Sequence, residues 1–257
     1  MKNHTLGEFL ACIVARELKD DDLVAFGLNA EIVLAAAFLA QKLYSPNLRI
    51  RHGLHFERGV ELNPSAWTLD KKTKSHEIVE YNESHDLILN MASPENTNIL
   101  CNTFFVSGLQ IDRHGNTNLL GLKGNGKKFK LRGPGCVGTT SIAQLSKKYF
   151  IFTLEHSRRR LVEKVDYISS IGYDTRKEYG LSGGPLLCFT PLCVFDFLNG
   201  EMRIKSIHGH SSLEEVLEKT GFKPIIPKTI PETKEPAPDE LKFLRKIDKN
   251  NILKNLT

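Results

Sequence analysis

Apolar positions follow two rhythms along this chain, and their alternation predicts the fold. Thr5 and Glu8 stand three apart ahead of an apolar stretch, a capping-box pattern that predicts a helix running to about Leu18. The run DLVAFGLN then reads as a short strand ending at Gly27. Asn29 can cap a second helix, in which Ile32, Ala35, Ala36, Leu39 and Leu43 recur at helical spacing until Pro46 stops it. Leu48 and Ile50 alternate with Arg49 and Arg51 in a second strand, and His52, Gly53 and His55 follow where that strand should end. Helix, strand, helix, strand is the rhythm of an α/β protein. A polar, irregular stretch covers 63–85. Further strand-like runs lie at 103–107, 149–154, 167–171, 186–190, 193–197 and 202–208. SSLEEVLEKTG predicts a capped helix with Gly221 as its stop. The expected architecture is an open mixed sheet flanked by helices over residues 1–222. An extended Pro- and Lys-rich tail, 223–257, carries a last short helix at 239–246.

Composition narrows the function more than the fold. With 257 residues, 40% of them hydrophobic, the chain can bury a substantial core. Its formal net charge is +5, and the Lys/Arg runs at 123–132 and 158–160 are not interleaved with aromatics as a nucleic-acid platform would be. Anionic small molecules are therefore expected as ligands, and nucleic acid is not. Cys12, Cys101, Cys136, Cys188 and Cys193 are odd in number and lack a framework spacing, which predicts reduced thiols in a cytoplasmic protein. No Cys/His cluster has metal-ligand spacing. No signal peptide is recognisable, and no apolar run approaches the roughly 18 residues of a membrane span, so no membrane partner is expected.

Three local strings suggest chemistry. GPGCVG, with Gly133, Gly135 and Gly138, matches a dinucleotide fingerprint, and Glu155 follows at a suitable distance. Its leading strand FKLR is half cationic and its helix is short, a poor context for a nicotinamide site; the glycines still predict a backbone that approaches something closely. GLSGG around Ser182 matches a nucleophile elbow in letters only. The elbow needs a strand before and a helix after, whereas polar DTRKEY precedes it and Pro185 with a strand follows, which predicts a turn. GLQIDRHGNTN, Gly108 to Asn118, reads as a structured loop with Ile111 inward and Asp112, Gly115 and Asn116 supplying tight-turn chemistry.

Four blocks taken together carry a family resemblance. GLQIDRHGNTN, LRGPGCVGTTS, EHSRRRLVEKVDYISSIGY and APDELKFLRKID resemble, in order and spacing from about Leu10 to Asp248, the second (β) subunit of family I CoA-transferases of the glutaconate type. The resemblance implies an open α/β fold, a separate α-type subunit of similar fold, and an active site at their junction. It implies an acyl-CoA substrate, with coenzyme A as part of that substrate and no bound cofactor. Gly133, Pro134 and Gly135 would lie against the thioester and offer backbone N–H groups to its oxygen. Gln110 and Gly53 would belong to the same substrate-binding set.

One departure from the family changes the expected chemistry. In the transferases a β-subunit glutamate at the end of the second strand attacks the acyl-CoA, in a string like E-S-G. Here the string is Arg51-His52-Gly53, and neither Glu57 nor Glu61 reaches the position without losing Gly53. A guanidinium stays protonated and has no lone pair to offer, so Arg51 is no nucleophile. The family also contains ring-cleaving CoA hydrolases and a decarboxylase acting on a glutaconyl-type CoA, which lack this glutamate and develop an enolate or dienolate. The resemblance to those members implies that Arg51 clamps a substrate carboxylate and that His52 or His55 serves as acid or base. The leading expectation is decarboxylase or C–C hydrolase chemistry. The alternatives are a true CoA-transferase with its glutamate on the partner, and a non-catalytic partner subunit.

Overall fold

The computed structural model describes residues 3–27, 30–52, 55–59, 76–81, 101–126, 128–136, 138–146 and 148–256, with the backbone alone at 51–52, 55–59, 76–81 and Leu145. Its helices are α1 (Leu6–Ala15), α2 (Glu31–Leu43), α3 (Thr139–Leu145), α4 (Tyr173–Glu178), α5 (Leu213–Lys219), α6 (Pro238–Ile247) and α7 (Ile252–Asn255). The first strands are β1 (Leu23–Phe26), β2 (Arg49–His52), β3 (His55–Gly59), β4 (His76–Tyr81) and β5 (Thr103–Val106). Short strands follow at β6 (Gln110–Asp112), β7 (Thr117–Asn118), β8 (Gly121–Lys123) and β9 (Phe129–Arg132). The last are β10 (Lys148–Phe152), β11 (Leu161–Val162), β12 (Gly184–Phe189), β13 (Cys193–Leu198) and β14 (Glu201–Ile207). By packing, the chain forms two compact units, residues 1–103 with 234–257, and residues 104–233. This division runs differently from a boundary at 222/223, because the last helices pack with the first ones.

In the first unit β1 pairs parallel with β2, and β3 and β4 continue the sheet antiparallel. β4 falls within the stretch expected to be irregular. Helix α1 carries the expected capping box, with the Thr5 hydroxyl accepting from the Glu8 N–H and the Glu8 carboxylate accepting from the Thr5 N–H. It ends at Ala15, short of Leu18, and is buried on all sides from Gly7 on. A helix apolar all round belongs to an interior. Helix α2 is buried from Ile32 to Ala40, whereas Leu43 is exposed, and Asn29, its expected cap, lies outside the described residues. The late helix α6 closes this unit. Arg16 donates from Nε and Nη2 to the buried Glu240 carboxylate at 2.8 and 2.5 Å, the Tyr44 hydroxyl donates to it at 2.5 Å, and Arg245 Nε donates to the buried Glu8 at 2.8 Å. Their charged and hydroxyl partners hold both Glu8 and Glu240 below the usual carboxylate range, although burial opposes this.

In the second unit the sheet order is β14-β13-β12-β10-β5, with β10 parallel to β12 and the β12–β13–β14 ladder antiparallel. Phe150 packs between Phe105 and Phe189, at ring distances of 5.0 and 5.9 Å. A small sheet β11-β6-β7 and a two-stranded hairpin β8-β9 accompany it. The mixed α/β architecture thus matches the pattern read from the sequence. One strand does not form. Residues 167–171 make only an isolated bridge, Ser170 to Thr117, because their polar groups are spent on that neighbour and on the turn described below. Beyond Phe222 the chain runs along β14, with bridges from Ile225 to Arg203 and from Glu232 to Ile207.

Candidate functional site

The GLQIDRHGNTN string folds into a loop whose polar side chains face inward and satisfy one another. Asp112 is buried, and its carboxylate accepts from the N–H groups of His114 and Asn116, both at 3.0 Å, and from Asn116 Nδ2. Burial pushes its pKa up, and the Asn116 and His114 donors pull it back. Asn116 Nδ2 also donates to Asp174 at 2.8 Å, while its Oδ1 accepts from the Gly172 N–H at 2.6 Å. Loop and α4 are thereby locked through one amide. Gly172 must be glycine, since a Cβ there would lie 2.3 Å from the His114 carbonyl oxygen. The fully buried Asn118 performs the same service one turn on, donating to Gln110 Oε1 and the Gly121 carbonyl, both at 2.8 Å.

Gln110, expected to touch substrate, has its Oε1 committed to Asn118 and to the Asp166 N–H at 2.9 Å. Its remaining capacity is the two Nε2 protons. The glycine turn lies directly after β9 and is strapped to residues 119 and 120. The Gly133 N–H donates to the Leu120 carbonyl at 2.9 Å and the Gly135 N–H to the Leu119 carbonyl at 3.0 Å. This corrects the expectation that these amides face a thioester oxygen: they hold the turn in place.

The two glycines are required for different reasons. A Cβ on Gly133 would meet the Leu119 carbonyl oxygen at 2.2 Å. Gly135 has φ +92°, a left-handed conformation, and a Cβ there would meet only the Arg132 guanidinium, at 3.9 Å. So Gly133 is the packed side of the turn and Gly135 the open side. Pro134 between them is exposed. This open backbone face is where a ligand can approach closely.

Residues that the sequence did not single out hold this turn. The buried Ser169 hydroxyl accepts from the Leu119 N–H at 2.8 Å and from the Cys136 thiol at 3.2 Å. Helix α3 leaves the turn, and Arg176 caps its far end, donating to the Ala143 carbonyl and to Ser182 O at 2.5 Å. Arg176 is 1% exposed and has carbonyls and the Tyr149 ring, 5.8 Å away, for company in place of a carboxylate. Burial lowers its pKa accordingly. These partners lie 33 to 58 residues from the groups they bind, a spacing no local pattern reveals.

The decoys resolve on geometry. The strand before GPGCVG belongs to an antiparallel hairpin, so no β–α–β crossover cradles a dinucleotide there. Ser182 sits between α4 and β12, in a helix-to-strand turn opposite in order to an elbow. Arg51 and His52 form the end of β2, with Arg51 beside Ala25 of β1 and His52 opposite His55 of β3 in the backbone register. Gly53 and Glu61 lie outside the described residues. Among the described residues no group of His, Cys, Asp and Glu is arranged to hold a metal ion, and no helix is long and apolar enough to cross a membrane.

Comparison with known proteins adds the family. The sequence profile described as Coenzyme A transferase matches residues 8–219. The chain is 35% identical over 151 residues to the β-type subunit of the 3-oxoadipate CoA-transferase of Pseudomonas knackmussii, a match covering 56% of this chain and 57% of that one. It is 29% identical to the β-type subunit of the glutaconate CoA-transferase of Acidaminococcus fermentans, over 95% of this chain and 92% of that one. The solved structure of the A. fermentans glutaconate coenzyme A-transferase superposes with a TM-score of 0.82 at 26% identity, covering 98% and 97% of the two chains. The decarboxylase AibA/AibB has the same fold, with a TM-score of 0.81 at 21% identity and 98% of each chain covered.

Proposed function

The chain belongs to the coenzyme A transferase family, as a subunit of the β type, and from that premise we propose that it acts with an α-type subunit on an acyl-CoA thioester by decarboxylase or C–C hydrolase chemistry. The observation that supports this reading is Arg51 at the end of β2, the position to which the family resemblance would assign the transferase glutamate. Covalent CoA transfer needs a carboxylate to form the anhydride, and a guanidinium cannot form one. What a guanidinium does well is grip a carboxylate with two parallel hydrogen bonds. A carboxylate so held on the acyl chain is oriented for loss or for cleavage beside a thioester able to accept the electron pair as an enolate. His52 or His55, paired across β2 and β3, is assigned the acid–base role. By the family resemblance, Gly53, Gln110 and the Gly133–Pro134–Gly135 turn are also proposed as substrate-binding residues, the turn through its open face.

The second reading, a true CoA-transferase whose glutamate comes from the partner, is favoured by the names of the two relatives, both transferase subunits. One experiment separates them. The chain, co-purified with its α-type subunit, is incubated with acyl-CoA, reduced with borohydride and weighed intact. The proposal expects no mass change on either subunit and a product that has lost carbon dioxide or gained water. An adduct on the partner returns the transferase reading. Arg51→Lys keeps the charge and loses the bidentate grip, so turnover should fall roughly ten- to a hundredfold. Full activity in Arg51→Ala removes the clamp.

A further inference from the structure

We propose that the β8–β9 hairpin anchors the phosphate groups of the coenzyme A portion of the substrate, an assignment that rests on the acyl-CoA reading above. The first observation is where the charge sits. The chain has 35 Lys and Arg against 30 Asp and Glu. Between Gly121 and Gly138 it carries Lys123, Lys127, Lys128, Lys130 and Arg132 and no carboxylate at all. This stretch therefore holds an excess equal to the +5 of the entire chain, and the rest of the molecule is balanced.

The second observation is that these side chains form no ion pairs among the described residues, although the Asp166 carboxylate accepts from the Lys123 backbone N–H at 2.9 Å. Elsewhere several arginines find carboxylates, Arg16 with Glu240, Arg113 with Glu201, Arg203 with Asp196 and Arg245 with Glu8, while the buried Arg176 is met by carbonyls. Among the described residues Lys123, Lys128, Lys130 and Arg132 have no such partner, and all four positions of β9 are exposed. Two aromatic rings lie among them. Phe129 and Tyr167 are 5.5 Å apart, Arg132 lies 5.3 Å from the Phe129 ring centre, and Lys123 Nζ lies 5.5 Å from that of Tyr167. Uncompensated like charges on one small hairpin repel, and Phe129 and Leu131 are exposed apolar side chains beside them. Such a surface is stabilised by a polyanion that also offers a flat ring.

Coenzyme A has that chemistry: a diphosphate, a ribose phosphate and an adenine, joined by a flexible arm to the thioester. The hairpin is placed to use it. β9 runs straight into Gly133, and at about 3.3 Å per residue Lys128 stands roughly 16 Å up the strand from the turn. A thioester at the open face of the turn would lay its arm along β9 and its phosphates among the lysines. An acidic surface of the partner subunit is the competing occupant.

Calorimetric titration of the full-length chain with coenzyme A and with pantetheine, at two salt concentrations, tests this. Lys128→Gln with Lys130→Gln, both exposed, should weaken coenzyme A binding at least about tenfold and flatten its salt dependence, while leaving pantetheine binding and melting temperature unchanged. Lys228→Gln with Lys242→Gln, exposed elsewhere, should change nothing. Unaltered coenzyme A affinity in the hairpin variant overturns the proposal, as does an equal loss for pantetheine. Loss of partner association with coenzyme A affinity intact overturns it in favour of subunit docking. Binding of coenzyme A through the hairpin without turnover of any acyl-CoA keeps this site and removes the catalytic reading instead.

Discussion

In the loop from Gly108 to Asn118, Asp112, Asn116 and Asn118 are buried and their side chains are bonded on nearly every valence. A few residues on, β9 exposes all four of its side chains and its cations lack carboxylates. Only the stretch containing β8 separates the two segments in sequence, and the glycine turn follows β9 directly. The contrast teaches that the string most recognisable as a motif is the one with least left to give a ligand. It is recognisable because each of its polar groups has a fixed internal partner. Chemistry directed outward belongs to the less orderly segment beside it, where the groups are unspent.

That contrast can be broken most sharply by Asp112→Ala. The substitution strands the amides of His114 and Asn116 and one Asn116 proton in the interior, at about 1–3 kcal/mol for each unmet group. We expect a loss of roughly 3–5 kcal/mol in urea unfolding; a loss below about 1 would mean that the loop is not the rigid partner. The interior of the same unit can be probed through pH. Buried His156 has its Nε2 3.0 Å from the Thr220 hydroxyl and its Nδ1 2.8 Å from the Thr190 hydroxyl. Burial pulls its pKa from 6.5 down to about 4. The neutral form is thus the folded one, and stability is complete above pH 6.5. It is lost as pH falls from 6.5 towards 4, by roughly 3 kcal/mol in total, because the unfolded chain takes up the proton first. His156→Gln should flatten the urea midpoint over that pH window; an unchanged slope would assign the acid sensitivity elsewhere.

Smaller effects sharpen the comparison within the turn. Gly133→Ala drives a methyl into the Leu119 carbonyl and should cost about 3 kcal/mol. Gly135→Ala meets nothing but the strain of its positive φ and should cost only about 1 kcal/mol, while impairing acyl-CoA turnover more than its stability loss explains. Equal stability losses at the two positions would erase the distinction between a packed and an open side. At the far end of the scale, Lys128→Gln should leave the unfolding midpoint within about 0.5 kcal/mol of the parent.

Much of the fold was legible because it depends on local period. The Thr5–Glu8 box, the apolar face of α2 and the strand runs from β10 to β14 all rest on neighbours within a few residues. The glycine turn was legible too, as a place of close backbone approach, but not what approaches it: Gly133 is fixed by a carbonyl fourteen residues earlier. Residues 167–171 looked like a strand because Tyr167, Ile168 and Ile171 are strand-favouring residues. In the fold Ile168 is exposed, and Ser169 and Ser170 are buried as hydrogen-bonding posts. Arg176 gave no signal at all, since a lone arginine in DTRKEY reads as solvated. Its burial follows from the carbonyl ends of α3, which only the tertiary fold brings near.

The pairing of α1 with α6 has a consequence for how the protein is made. Glu240 follows Arg16 by 224 residues, which at roughly 5–20 residues per second is a delay on the order of ten to forty-five seconds on the ribosome. Throughout that interval the apolar surface of α1 and α2 has been synthesised and its covering helix has not. Residues 104–233, by contrast, are contiguous and complete before α6 emerges. The nascent chain should finish its middle first and its beginning last. A chain released near residue 235 would then carry one complete unit and one still exposed, a natural client for a chaperone that binds apolar helices.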